Sequence, residues 1–167
     1  SDQQLEAIRL TEDGAFRSAT LPAVFEAARG PQGLRQALED LCAQAASAVD
    51  DGYTILILTD RALDRAHAPI PMLMAVGAVH HDLIRRGVRM RASIVCDTGE
   101  PRDIHQFAAL IGYGASALNP YLVWDTLREL YQKGEFKEVE DEGYALAKYQ
   151  AAANKGILKI SSKMGIS

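Results

Sequence analysis

The chain has 167 residues and a mass of 18.2 kDa, the size of a single domain that buries roughly two-thirds of the surface its unfolded form exposes. Apolar residues make up 48% and charged residues 24%, which excludes a disordered tail, a collagen-like fibre and a disulfide scaffold. With 18 basic against 22 acidic residues and a pI near 5.5, the chain has no electrostatic footprint for nucleic acid.

Its longest apolar run, from Ile70 to Val79, is about half of the roughly 20 residues that cross a bilayer, and no basic segment with an apolar stretch opens the chain. A cytoplasmic protein without a membrane partner is expected. Only Cys42 and Cys96 occur, far apart and without CxxC spacing, so two reduced core thiols are expected rather than a metal cluster or a disulfide.

Arg17 to Leu21 is compatible with a short strand that stops at Pro22. Gly30-Pro31-Gln32-Gly33 reads as a turn. After it, Leu34, Leu38, Leu41, Ala45 and Val49 recur with helical period, and Asp50-Asp51-Gly52 ends the helix with a glycine suited to a left-handed position. Thr54 to Thr59 is an unbroken apolar and β-branched run, the pattern of a parallel strand covered on both faces.

A helix is predicted from about Pro71 to Arg86, stopped by Gly87, and a strand over Arg91 to Cys96. Pro101 to Ile111 then reads as a helix, Gly112-Tyr113-Gly114 as an αβ turn, and Ala117 to Asn119 as a brief strand. Val123, Leu127 and Leu130 line a further helix. Four strands, each followed by a helix, predict an α/β fold of repeated βα units with a mainly parallel sheet, either an open doubly wound sheet or, as the fold it resembles, part of a TIM-type barrel.

Beyond residue 133, the charged stretch from Glu135 to Glu142 leads into a C-terminal helix with Leu146, Tyr149, Ala153, Ile157 and Ile160 on one face. No stop signal is read at its end, and both chain ends read as cuts in a longer polypeptide.

In such sheets function sits at the carboxyl ends of the strands, which singles out Asp60, Arg61, Asp97, Glu100, Asn119 and Tyr121. The bland reading is that Asp60, Asp97 and Thr98 cap helices or βα turns. His80 and His81 are neighbours about 100° apart on a helix, so one is expected half-buried and one exposed rather than both on one metal. His105 reads as a structural histidine. GxSxG, GxxxxGK[ST] and HExxH strings are all absent, and the residues alone give no catalytic, cofactor-binding or metal-binding set.

Ile55-Leu56-Ile57-Leu58-Thr59-Asp60-Arg61, Ile70-Pro71, Ala78-Val79-His80-His81, Leu110 to Ala115 and Asn119-Pro120-Tyr121-Leu122 resemble the central region of glutamate synthase large subunits. The tail from Asn154 to Ser167 strengthens the match. Departures are small: Thr59 stands in place of serine, and Ser161-Ser162 in place of methionine and serine.

The resemblance implies a multidomain enzyme in which a glutamine amidotransferase domain releases ammonia. A synthase barrel carrying FMN and an iron–sulfur cluster then converts 2-oxoglutarate to glutamate. It further implies that residues 1–133 belong to the βα-repeat central domain and that residues 134–167 lead toward the synthase domain. The partners expected on this basis are the amidotransferase and FMN-synthase domains of the same polypeptide, with FMN and the cluster held outside this segment. Three readings stand: a structural coupling module that frames the ammonia tunnel, a ligand-binding module using the strand-end residues, and a homo-oligomerisation scaffold built on open strand edges.

Overall fold

A computed structural model describes residues 2–13, 15–136, 139 and 141–166. Of the expected charged stretch before the last helix, Lys137, Glu138 and Glu140 lie outside the described residues.

The main sheet takes its strands in the order β1 (Glu12–Asp13), β2 (Phe16–Pro22), β4 (Ile55–Thr59), β6 (Ser93–Asp97), β7 (Ala117–Asn119). Only β1 runs antiparallel, against β2; the other four strands are parallel. Successive parallel strands are joined by α2 (Gly30–Asp50), α3 (Met72–Arg85) and α4 (Ile104–Gly112). This sequential order is that of a barrel segment, without the reversal of a doubly wound sheet.

The sheet is covered differently on its two faces. Leu21, Leu56, Leu58, Ile94 and Cys96 point into the larger core with Leu41, Ala45 and Val49 of α2, Val76, Val79 and Leu83 of α3, and Leu110 of α4. Ile57 and Val95 point the other way, where Leu5 and Ile8 of a short first helix, α1 (Asp2–Arg9), pack over them and Ile55. The unbroken apolar run in β4 follows from this double cover.

Two further short strands, β3 (Val24–Glu26) and β5 (His67–Pro69), form an antiparallel pair beyond the carboxyl ends of β2 and β4. They are fastened there by Ala23 N donating to Thr59 O at 2.7 Å and Ile70 N donating to Ala23 O at 2.9 Å.

Several boundaries differ from the sequence reading. Gly30-Pro31-Gln32-Gly33 is the first turn of α2 rather than a turn before it, because proline fits a first helical turn whose amides lack partners in any case. Arg89–Arg91 form a 3-10 turn and β6 begins at Ser93. Helix α4 starts at Ile104, after a capping box in which Gln106 N donates to Asp103 Oδ1 at 2.9 Å.

The αβ turn after α4 explains two of the sequence strings together. Gly114 has φ +118°, and a Cβ there would lie 2.5 Å from Cγ of His80, so only glycine fits. Arg89 closes the joint, its Nε donating to His80 Nδ1 at 2.8 Å and its two terminal nitrogens to Ala92 O and Gly114 O. His80 is half-buried and His81 exposed, as expected, but His105 is exposed on α4 rather than a structural histidine.

Helix α5 (Tyr121–Gln132) follows β7, and α6 (Glu142–Met164) docks on α4 and α5. Tyr149 anchors α6: its ring stands edge-to-face against Phe107 and Trp124, and its hydroxyl donates to Arg102 O at 2.8 Å. The expected apolar face of α6 is the face turned inward, although Ala145 is its only buried described residue. Gly165, with φ +70°, stops α6 in the left-handed conformation, a signal the sequence reading passed over.

Candidate functional site

All six strand-end residues gather at the carboxyl end of the sheet, in two adjoining groups. The first centres on Asp97, whose side chain is wholly buried. Oδ2 accepts from Arg9 Nη2, Thr59 Oγ1 and Arg61 Nε, each at 2.9 Å, and Oδ1 accepts from Asn119 Nδ2 at 3.0 Å. Four donors, two of them guanidinium groups, hold this buried carboxylate in one orientation.

Asp2 repeats the arrangement at the start of α1. Its Oδ1 accepts from Arg61 Nη2 at 2.7 Å and Asn119 Nδ2 at 2.8 Å, and its Oδ2 lies 3.4 Å from Arg128 Nη1. Burial alone raises the Asp2 pKa, but the Asn119 hydrogen bond and the Arg61 and Arg128 charges outweigh it and hold the carboxyl below its ordinary value. For Arg61, burial works against the charge, yet Asp97 and Asp2 leave its pKa raised. The Arg61 guanidinium lies over the Tyr121 ring, 4.0 Å from its centre.

The second group is built on Asp60, which accepts from Thr98 Oγ1 at 2.5 Å and from Gly99 N at 3.2 Å. Asp60 thus caps the neighbouring βα loop, and Thr98 caps its own, accepting from Glu100 N at 3.2 Å. Burial first, and then the hydrogen bond to Asp60, push the Tyr121 hydroxyl pKa up. The Glu100 carboxylate reaches across to α3, where both oxygens accept from Met72 N, at 3.0 and 3.1 Å. Burial and the Asp60 charge outweigh that hydrogen bond and raise the Glu100 pKa.

The capping reading therefore holds for Asp60 and Thr98 but not for Asp97, which serves side chains rather than a helix end. Asp2, Arg9, Thr59, Trp124 and Arg128 complete the site without having been singled out from the sequence. Trp124 carried a usable signal: a lone indole in an apolar helix face needs an acceptor for its N–H, here Asn119 Oδ1 at 2.9 Å.

Chemically, the arrangement is closed. Each carboxylate is already engaged by donors, and Arg9 Nε is the one buried side-chain polar atom without a partner among the described residues. The thiols do not suit metal or redox work: burial pushes Cys96 up to about 12, and burial also raises Cys42. An iron–sulfur cluster takes four cysteine thiolates in its common forms, and the sequence has two cysteines, on different elements, so these residues do not fit one. Among the described residues no helix is long and apolar enough to cross a membrane.

The family model for the glutamate synthase central domain matches residues 1–167. The chain is 38% identical over 167 residues to the glutamate synthase [NADPH] large chain of Bacillus subtilis, covering all of this chain and 10% of that one. It is 42% identical over 179 residues to the chloroplastic ferredoxin-dependent glutamate synthase of Spinacia oleracea, covering all of this chain and 11% of that one. To the glutamate synthase [NADH] of Schizosaccharomyces pombe it is 37% identical over 152 residues, covering 91% of this chain and 7% of that one. The chain thus spans about a tenth of the length of these relatives. By this match and by its mainly parallel α/β architecture, the chain belongs to the glutamate synthase central domain family.

Proposed function

We propose that this segment works within a glutamate synthase large chain as a non-catalytic coupling module. It holds the amidotransferase and FMN-synthase domains of the same polypeptide in register and frames the path by which glutamine-derived ammonia reaches 2-oxoglutarate. Residues 1–133 form the βα body of the module, and residues 134–167 lead toward the synthase domain. FMN and the iron–sulfur cluster belong to the synthase domain, where they supply the electron-transfer chemistry; nothing in the cysteine count of this segment suits a cluster.

The observation that carries this reading is the self-contained strand-end cluster. In an enzymatic barrel this end of the sheet keeps a base, a nucleophile or an oxyanion donor free for substrate. Here Asp97 engages Arg9, Thr59, Arg61 and Asn119, and α1 packs over the sheet face that a closed barrel would turn inward. A polar cluster bonded to itself fixes geometry rather than binding substrate.

The test is to open the cluster in a full-length large chain with Arg61→Ala and Asn119→Leu and assay the two half-reactions separately. Glutamine hydrolysis, and glutamate formation from supplied ammonia, are expected to persist within a few-fold. Loss of either half-reaction to background, in a variant that remains folded, overturns the non-catalytic reading.

A further inference from the structure

The strand-end cluster joins the first helix of the segment to the last by two separate routes. Asp2 Oδ2 lies 3.4 Å from Arg128 Nη1, and Nε of the same guanidinium lies 3.6 Å from Oε1 of Glu142, the first residue of α6. On the other side, Asp2 Oδ1 accepts from Asn119 Nδ2, Asn119 Oδ1 accepts from Trp124 Nε1, and the Trp124 ring meets Tyr149 of α6 edge-to-face at 5.7 Å.

Both helices depend on these contacts. Helix α1 has eight residues, too few to persist alone in water; its apolar contact with the sheet is through Leu5 and Ile8, and Arg9 adds the ion pair to Asp97. Its docking and its helical state therefore stand together. Helix α6 buries Ala145 and is otherwise seated by half-buried side chains, with Tyr149 the main anchor of its first half. Gln4 of α1, Trp124, and Gln150, Ala153 and Ile157 of α6 border an open pocket of about 140 Å³. Asp2 contributes an oxygen to each of the two routes.

We propose that Asp2 ties α1 to the first half of α6 through Arg128–Glu142 and through Asn119–Trp124–Tyr149, so that lifting α1 from the sheet loosens α6. The tie gives the coupling module a route between its two ends and rests on that reading for its purpose, while its contacts stand apart from it.

Hydrogen exchange by mass spectrometry on a full-length large chain tests it, with Asp2→Asn and Leu5→Ala as variants. Asp2→Asn keeps the side-chain shape and removes the charge; Leu5→Ala lifts α1 without touching either route. Both variants are expected to speed exchange in α1 and in residues 142–150 by about fivefold, the factor that corresponds to about 1 kcal/mol, with α3 unchanged. Faster exchange in α1 with residues 142–150 unchanged overturns the tie. So does faster exchange spread equally over α3, because the effect would then be global. The coupling role is read separately, from reaction stoichiometry: an intact exchange response with unaltered stoichiometry removes the role and leaves the tie.

Discussion

Asn119 places one amide nitrogen 3.0 Å from Asp97 Oδ1 and 2.8 Å from Asp2 Oδ1, so a single side chain on β7 bridges the buried carboxylate of β6 to the helix lying over it. Its carbonyl oxygen takes the Trp124 indole proton, which fixes the orientation of the amide.

Replacing Asn119 by leucine keeps the volume and removes three hydrogen bonds at once. Stranding the Trp124 N–H and part of Asp97 should cost about 3 kcal/mol. Asp97→Ala should cost more, about 3–5 kcal/mol, because it leaves the Arg9 and Arg61 guanidiniums together without their buried counter-charge. Urea unfolding midpoints check both; values within 0.5 kcal/mol of the parent, an ordinary surface effect, contradict the account.

The two glycines around Tyr113 should behave in opposite ways. Gly114→Ala meets both a φ of +118° and the His80 ring, and should destabilise by about 1–3 kcal/mol. Gly112 is the last residue of α4, with open space where a Cβ would go, so Gly112→Ala should be neutral or stabilise by about 0.5 kcal/mol. Thermal unfolding of the pair provides the comparison.

The Arg89–His80 contact predicts an acid sensitivity. Burial, then the Arg89 charge and His81, lower the His80 pKa. The folded chain therefore takes up this proton at lower pH than the unfolded chain, whose imidazole titrates near about 6.5. Between those two values the unfolded state binds more protons, so this contribution to stability is full above about pH 6.5 and declines as pH falls through the folded pKa. Protonation also removes the lone pair that accepts from Arg89 Nε. His80→Gln should flatten the dependence of the urea midpoint on pH below 6.5; an unchanged slope places its origin elsewhere.

Gly156 lets α6 approach α4: a Cβ there would lie 2.7 Å from Cγ1 of Ile104. Gly156→Ala should cost about 1–3 kcal/mol by overpacking. Adding Ile104→Ala makes room again and should return part of that loss, a non-additivity read from a double-mutant cycle. Strict additivity of the two changes contradicts the close packing.

The parallel core was legible because its signals are local. The run from Thr54 to Thr59 and the helical spacing from Leu34 to Val49 each need only a window of a few residues. The convergence of Asp60, Arg61, Asp97, Glu100, Asn119 and Tyr121 followed from the rule that loops after parallel strands share one end of the sheet. Helix α1 was not legible: Leu5 and Ile8 alone make no recognisable stripe, and so short a helix rests on its docking. Arg128 gave no signal of its own, since its partners Asp2 and Glu142 are 126 and 14 positions away. Strands β3 and β5 were missed because three-residue pairs are fixed by tertiary contacts rather than by propensity.

Reaction stoichiometry shows whether this segment couples two reactions without performing either. In a full-length large chain carrying Asp97→Asn, glutamine hydrolysed and glutamate formed from 2-oxoglutarate are measured in the same reaction. More glutamine consumed per glutamate made than in the parent is expected, with each half-reaction retained. An unaltered ratio, or loss of glutamate formation even with ammonia supplied, contradicts it.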